Sequence, residues 1–220
     1  MKNVFLLVLL VSVNLMHGQT ISQLTFPYLK GYHMYFKGTE NQYSQSGLSS
    51  TKNSETVYDV KSGVELDGMN TVTFHSAFIS GKDTAFDNSP LSLNENGMCY
   101  WFADSKGGYQ KPVWAIKLPL SEGKTWKTNY GENKAVCKVI SMNTTVKLPS
   151  GEVNAFCIET IVALGWQNGY QQVEKILDYY NQEIGKVSMT ITYYWQSKDG
   201  KKVVPTLEVD EVLQQYSGIK

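Results

Sequence analysis

The sequence contains no arginine. Its 20 basic side chains are all lysines, and 20 acidic side chains balance them to a formal net charge of zero over 220 residues. Arginine is the side chain that most often binds phosphate and guanine through paired hydrogen bonds, and a neutral chain lacks the positive field that attracts nucleic acid. We therefore predict no nucleic-acid partner.

Long apolar runs are absent except for one at the start of the chain. Residues 4–13 are apolar apart from Ser12, and they follow Lys2. A positive start and a short apolar run are typical of a secretory signal peptide, whereas spanning a bilayer takes about 20 apolar residues. We predict residues 1–19 as the signal peptide, cleaved after Gly18 or Gln19. The mature chain is then periplasmic or secreted, with no transmembrane segment and no cysteine near the cleavage point to carry a lipid.

No long segment shows a helical period, whereas apolar and polar residues alternate repeatedly. The alternation is clearest at residues 185–195. It predicts one face with Val187, Met189, Ile191, Tyr193 and Trp195, and another with Lys186, Ser188, Thr190, Thr192 and Tyr194. Such a strand is typical of an antiparallel sheet that covers a core with one face. No linker composition divides the chain, so we predict a single β domain over residues 20–220.

The remaining segments are predicted from turn residues and local alternation. The further strands are residues 32–37, 56–60, 71–79, 98–102, 113–117, 125–130 and 172–180, with a last strand at 203–209. Pro205 lacks a backbone donor, so the last strand is expected to lie at an edge or to carry a bulge. Residues 38–53, 81–90 and 104–112 are predicted as loops, and residues 211–216 as a short terminal turn of helix.

Residues 135–164 are predicted to form a hairpin. A register that pairs Ile140 with Ile158 places the apolar residues of both arms on one face. It centres the connection on Pro149, with Gly151 just behind it.

Cysteine is scarce, with only Cys99, Cys137 and Cys157. Three are too few for a disulfide-stapled scaffold, and an odd number leaves at least one thiol unpaired. In the predicted hairpin Cys137 faces Ile161 and Cys157 faces Ser141, which separates the thiols by roughly 13 Å. A disulfide needs Cα atoms within about 7 Å. We predict no Cys137–Cys157 bridge, while pairing of Cys99 with either stays open.

Three short motifs occur in a fixed order. They are Leu118-Pro119-Leu120 followed by Gly123 and Trp126, then Val146 to Gly151 leading to Phe156-Cys157-Ile158, then Asp178-Tyr179-Tyr180 followed by Ile184 to Val187. Together they resemble the TapB-like family of exported bacterial proteins, over about residues 114–194. The resemblance implies an all-β fold: a single strongly curved antiparallel sheet, a half-barrel resembling periplasmic lipoprotein carriers. It implies no particular activity.

No motif of nucleophilic, nucleotide-binding or metal-dependent catalysis occurs. His33 and His75 stand alone, without the spacing of zinc ligands. Glu159, Glu174 and Asp178 could supply paired carboxylates only if the fold brought them together. We predict no catalytic residues, no metal site and no cofactor, and we rank a hydrolase last among the alternatives.

The aromatic side chains suggest binding. On the concave face of a curved sheet they would form a trough for an apolar ligand. The candidate ligand-binding residues are Trp101, Trp114, Trp126, Tyr179, Tyr193 and Trp195. Trp166, between Gly165 and Gln167, is predicted to be exposed at a hairpin tip and to contact a protein partner. The leading hypothesis is an exported non-enzymatic protein that binds an apolar or lipid-like molecule. The alternative is a structural or surface-interaction protein whose aromatics fill the core.

Overall fold

The computed structural model describes residues 20–200 and 203–217, so the predicted signal peptide lies outside the described residues. Within those two ranges the chain forms strands and no helix, and so none that could cross a bilayer. The strands are β1 (Thr20–Ile21), β2 (His33–Ser44), β3 (Gly47–Leu66), β4 (Met69–Ser80), β5 (Asp83–Asn94), β6 (Gly97–Tyr100), β7 (Val113–Lys117), β8 (Leu120–Ser121), β9 (Thr125–Tyr130), β10 (Asn133–Leu148), β11 (Gly151–Gln167), β12 (Tyr170–Asn181), β13 (Gly185–Ser197) and β14 (Val203–Ser217).

Twelve of these strands form one antiparallel sheet, which is nearly closed into a barrel. Their order is β7-β6-β5-β4-β3-β2-β14-β13-β12-β11-β10-β9, and β1 pairs separately with β8. All ladder neighbours in this sheet but one follow each other along the chain. The exception is β14, which returns to lie beside β2. The predicted all-β fold with a strongly curved antiparallel sheet is confirmed.

Side chains bridge the two edges of the sheet, β7 and β9, where no ladder joins them. The backbone nitrogen of Trp114 donates a hydrogen bond to Oγ1 of Thr128 (2.9 Å). The indole nitrogen of Trp126 donates to the carbonyl oxygen of Trp114 (2.8 Å). Both edge strands are short, and these bonds satisfy backbone groups that an edge would otherwise leave unpaired.

Residues between β1 and β2 cross one end of the barrel and pack into it. Phe26 stacks on Phe156 and Tyr180, with ring centroids 6.3 and 5.5 Å away. The backbone nitrogen of Lys186 donates to the hydroxyl of Tyr28 (2.7 Å). Gly185 lies beneath this tyrosine with φ = 91°, and a Cβ there would stand 2.4 Å from the hydroxyl oxygen. Glycine is therefore required at that position.

Three segments predicted to lie outside strands are strands. Residues 38–53 form the turn end of the β2–β3 hairpin, residues 81–90 include most of β5, and residues 211–216 extend β14 instead of turning into a helix. The first two segments contain many glycine, asparagine, lysine and acidic residues, which have low strand preference. Backbone pairing with neighbouring strands of the sheet overrides that preference, because strand propensity depends mainly on context. The predicted loop at residues 104–112 is confirmed.

The last strand and the β10–β11 hairpin also differ in detail. β14 is central rather than an edge, and the bulge expected near Pro205 lies between the pairs Tyr193–Leu207 and Tyr194–Pro205. In the hairpin, Ile158 pairs with Val139 and not with Ile140. Two irregularities between residues 139 and 144 shift the alternation, so Ile140 is partly exposed on the outer face.

All three cysteines are buried and free. Ser141 faces Cys157 as predicted, whereas Cys137 faces Thr160 and not Ile161. The predicted absence of a Cys137–Cys157 bridge agrees with this arrangement, and Cys99 pairs with neither.

Candidate functional site

The barrel encloses a cavity of about 360 Å³ between the inner faces of its strands. Ligand sites usually measure about 300–1,000 Å³ and are mainly apolar with a few polar groups. The lining follows this pattern. Its aromatic and methionine members are Tyr28, Met34, Tyr58, Phe74, Phe78, Met98, Tyr100, Phe102, Trp114, Tyr130, Tyr180 and Met189, and its charged members are Asp87, Asp178 and Lys186.

Tyrosine is the dominant polar side chain of the wall. Burial raises the pKa of Tyr100, Tyr130 and Tyr180 well above the ordinary value of 10, and neighbouring acidic groups raise it further. The rings of Tyr100 and Tyr130 meet edge to face with centroids 6.4 Å apart. These phenols therefore stay neutral, and each presents an apolar ring and a hydroxyl to the cavity.

A bulge in β13 turns Lys186 toward the cavity. Tyr180 pairs with Lys186 while Tyr179 pairs with Ser188, so Val187 is an extra residue in the ladder. Such an insertion reverses the alternation on one side of it. The predicted placement of Lys186 on the face opposite Val187 and with Ser188 is therefore wrong.

Lys186 forms an ion pair inside the barrel. Its Nζ lies 2.8 Å from Oδ1 of Asp178, and both side chains are mostly buried. Burial alone lowers the pKa of Lys186, but Asp178, Tyr58 and Glu211 raise it more, so the net shift is upward. Lys186 therefore remains a cation, held by Asp178 on the neighbouring strand.

A second acidic group lies farther along the same strands. The hydroxyl of Tyr193 donates a hydrogen bond to Oε1 of Glu174 (2.8 Å). Burial raises the pKa of Glu174, and the bond from Tyr193 lowers it only in part. The interior thus carries more carboxyl groups than ammonium groups.

The predicted ligand-binding aromatics lie in different places. Trp114 lines the cavity. Tyr193 lies on the inner wall beside Glu174, and Trp195 lines a separate opening near the β11–β12 turn. Trp101 is buried elsewhere, with its indole nitrogen 3.1 Å from Oδ2 of Asp67.

Two further predicted ligand-binding residues lie between the two sheet edges and on the outer face of the barrel. Trp126 bridges the two sheet edges, and Tyr179 lies on the outer face opposite Cys157. Trp166 is 55% exposed before the Asn168–Gly169 turn. The binding roles of these residues stay predictions.

The cavity is lined mainly by residues that were not singled out from the sequence. They include Tyr28, Tyr58, Tyr100 and Tyr130, together with Lys186. Tyr28 lies between β1 and β2, outside any strand. Tyr58 and Tyr100 share a strand face with apolar residues two positions away, Val60 and Met98, which is the only sequence signal that marks them. That signal does not distinguish a cavity wall from a filled core.

The other residues considered for catalysis or metal binding do not come together in one site. Nδ1 of His33 lies 2.8 Å from Oδ1 of Asp59, whereas Glu159 pairs with Lys175 on the outer face, away from Asp178. Burial raises the pKa of Cys99 to about 12, which suppresses its thiolate. Among residues 20–200 and 203–217, no group of three metal-ligating side chains comes together.

Together these features define a nearly closed antiparallel β-barrel with an interior, largely aromatic cavity. No protein-family model matches the sequence, and no curated protein shows significant similarity to it. The fold is similar to the crystal structure of a candidate exported protein with a YmcC-like fold from Bacteroides fragilis. That match has a TM-score of 0.50 and 14% sequence identity, and it covers 89% of this chain and 100% of the other. The resemblance to the TapB-like family is not confirmed.

Proposed function

We propose that this chain is an exported, non-enzymatic binding protein that holds an apolar or lipid-like small molecule inside the barrel. The cavity carries the proposal, because its volume of about 360 Å³ and its aromatic and methionine lining suit such a ligand. An apolar molecule in contact with Met34, Phe74 and Met98 would bury surface at about 25 cal/mol per Å².

Two observations support export. The predicted signal peptide at residues 1–19 has the length and polarity of a secretory leader. The structurally similar protein from Bacteroides fragilis is described as a candidate exported protein.

The cavity chemistry supports binding rather than catalysis. Cys137 is the one cysteine of the described chain that lines the cavity, and burial raises its pKa to about 11. A thiol with so high a pKa is a poor nucleophile. The nearby ammonium of Lys186 is held by Asp178, which leaves it protonated and unable to act as a base.

Native mass spectrometry of protein purified gently from a host that exports it tests this function. Replacing Ile176, which lines the cavity, with tryptophan reduces the space for a ligand. Ile161→Trp, on the exposed outer face of the neighbouring strand, is the matched control. We expect a bound small molecule in the wild type and in Ile161→Trp, and its loss in Ile176→Trp.

A folded wild type that shows only its own mass, even after incubation with a lipid extract of the host, would contradict the proposal. Circular dichroism of each variant establishes that it is folded before the masses are compared.

A second candidate function is interaction with a protein partner, favoured by the exposure of Trp166. Trp166 is 55% exposed, and tryptophan is enriched among the residues that contribute most to binding at protein interfaces. Chemical cross-linking of the exported wild type and of Trp166→Ala, in the compartment where the protein accumulates, tests this function. A complex formed by the wild type and lost in Trp166→Ala supports it, and identical patterns contradict it.

A further inference from the structure

Glu211 is the most deeply buried carboxyl group of the described chain. It is 1% exposed, and no described donor meets hydrogen-bond geometry at either of its carboxylate oxygens, although the hydroxyls of Thr56 and Ser54 lie near enough to lower its pKa. Its place on the inner face of β14 follows from its pairing with Met189, which lines the cavity. Burying a carboxylate without a hydrogen-bond partner or counter-charge costs several kilocalories per mole. The negative charge of Glu211 therefore has to be neutralised by a proton or by a cation.

Two hydroxyl groups beside Glu211 are also buried and, within the described chain, without a hydrogen-bond partner. Ser54 and Thr56 are 1% and 3% exposed, and neither hydroxyl has a hydrogen-bond partner among the described residues. Glu211 pairs with Gly38, and Gly38 pairs with Ser54 on the next strand. Because glycine has no side chain, no group on β2 separates the carboxylate from the hydroxyls. Thr56 lines the cavity, so this polar cluster reaches the cavity wall at that residue, with Ser54 and Glu211 behind it.

The nearest cation is already engaged. Lys186 lies 2.8 Å from Asp178 and acts on Glu211 only at longer range. One ammonium therefore faces two carboxyl groups in this part of the wall. Burial raises the pKa of Glu211, while Thr56, Ser54 and Lys186 lower it in part, which agrees with a carboxyl group that lacks a full counter-charge.

We propose that the ligand of the barrel is an apolar amine, whose ammonium group binds at Glu211, Ser54 and Thr56 while its hydrocarbon part occupies the cavity. This inference rests on the proposed binding function and names the ligand class. An ammonium group has three donors and no acceptor. The cluster offers a carboxylate and two hydroxyl oxygens as acceptors, so all three donors find partners.

The cavity also limits the size of this ligand. A volume of about 360 Å³ accommodates about a dozen water-sized groups at roughly 30 Å³ each. A ten-carbon primary amine fits this limit. A carboxylate of the same length would face Asp178 and Glu211 with only Lys186 to attract it, so like charges would oppose its entry.

Calorimetric titration of the full exported chain with decylamine, decanol and decanoate at pH 7 tests the inference. The three probes share one hydrocarbon chain and differ only in the head group. We expect decylamine to bind at least tenfold more tightly than decanol, and decanoate to bind most weakly. In Glu211→Gln the advantage of the amine over the alcohol is expected to disappear, while decanol binds as before. Glu208→Gln, on the outer face of the same strand, is the matched control and should keep the advantage.

The outcomes separate this inference from the proposed function. Equal binding of the amine and the alcohol, or tightest binding of decanoate, would overturn the amine proposal while leaving the cavity as a ligand site. Binding of none of the three probes would overturn both. If Glu211→Gln does not fold, the wild-type series alone decides these cases. If Glu208→Gln loses the amine preference together with Glu211→Gln, the assignment to Glu211 is overturned.

Discussion

Nζ of Lys186 and Oδ1 of Asp178 lie 2.8 Å apart on the inner wall of the barrel, and a bulge at Val187 brings them together. Without the extra residue, Lys186 would point outward with Ser188. The bulge thus places a cation within an otherwise aromatic and acidic interior. Bulges commonly redirect a side chain in this way near functional sites.

Removing Lys186 should destabilise the fold far more than removing a surface lysine. Lys186→Met leaves Asp178 buried without its counter-charge, which costs about 3–5 kcal/mol. Lys147→Met is the control, because Lys147 and Glu152 form an exposed pair 3.8 Å apart and such pairs contribute about 0–1 kcal/mol. Urea unfolding at pH 7 measures both. Similar losses of unfolding free energy in the two variants would show that the Lys186–Asp178 pair is not electrostatically isolated from water.

Glu211 should make the empty protein less stable as the pH rises. Burial raises its pKa in the folded state above the ordinary 4.5, so the folded state binds more protons than the unfolded state between the two values. Stability from this group is complete below pH 4.5 and is lost as the pH rises through the folded pKa. Glu211→Gln should therefore be more stable than the ligand-free wild type at pH 7 and match it in acid.

Thermal unfolding of both proteins across this pH range checks the sign. A wild type that gains stability relative to Glu211→Gln with rising pH would show that the carboxylate is well compensated within the protein.

Gly38 should tolerate no side chain. A Cβ at this position would lie 1.6 Å from the carbonyl oxygen of Asp210, where β14 approaches β2. Removing this clash requires a backbone shift between two central strands. Gly38→Ala should therefore destabilise the fold by more than the overpacking cost of about 1–3 kcal/mol. Gly165→Ala is the control, because nothing lies within 4 Å of its Cβ position. Urea midpoints compare the two, and equal midpoints would disprove the close approach.

The three cysteines should react slowly in the folded protein. Burial raises the pKa of Cys99 to about 12 and the pKa values of Cys137 and Cys157 to about 11. The thiolate is the reactive form, so alkylation by iodoacetamide at pH 8 should be negligible in the native state and complete in urea. Mass spectrometry counts the labels. Fast labelling of one cysteine in the native state would show that its surroundings open to solvent.

The local patterns account for much of the sheet. Alternation correctly placed Met189 and Ile191 on the inner face of β13, because one face of that strand packs on the interior along most of its length. The same rule failed at Lys186 and at Ile140, since a single bulged residue reverses every side chain beyond it. Nothing in the composition near Val187 or Val139 marks either irregularity.

The candidate site was much harder to predict. The sequence predicts that Trp101, Trp114 and Trp126 line the concave face of the sheet, yet of these only Trp114 lines the cavity. Trp101 and Trp126 are held by hydrogen bonds elsewhere. The lining tyrosines come from strands far apart in sequence, and their proximity depends on how far the sheet curves.

The sequence by itself determined the all-β class and the antiparallel strands, because alternation with period two is a local property of each segment. Only the tertiary structure decided that β14 lies beside β2, that Tyr28 enters the barrel, and that Lys186 faces Asp178. Each of these depends on register, bulges and sheet curvature, which are set by packing among many strands. The polar cluster at Glu211 exists for the same reason, since Gly38 and Ser54 become its neighbours only across two ladders.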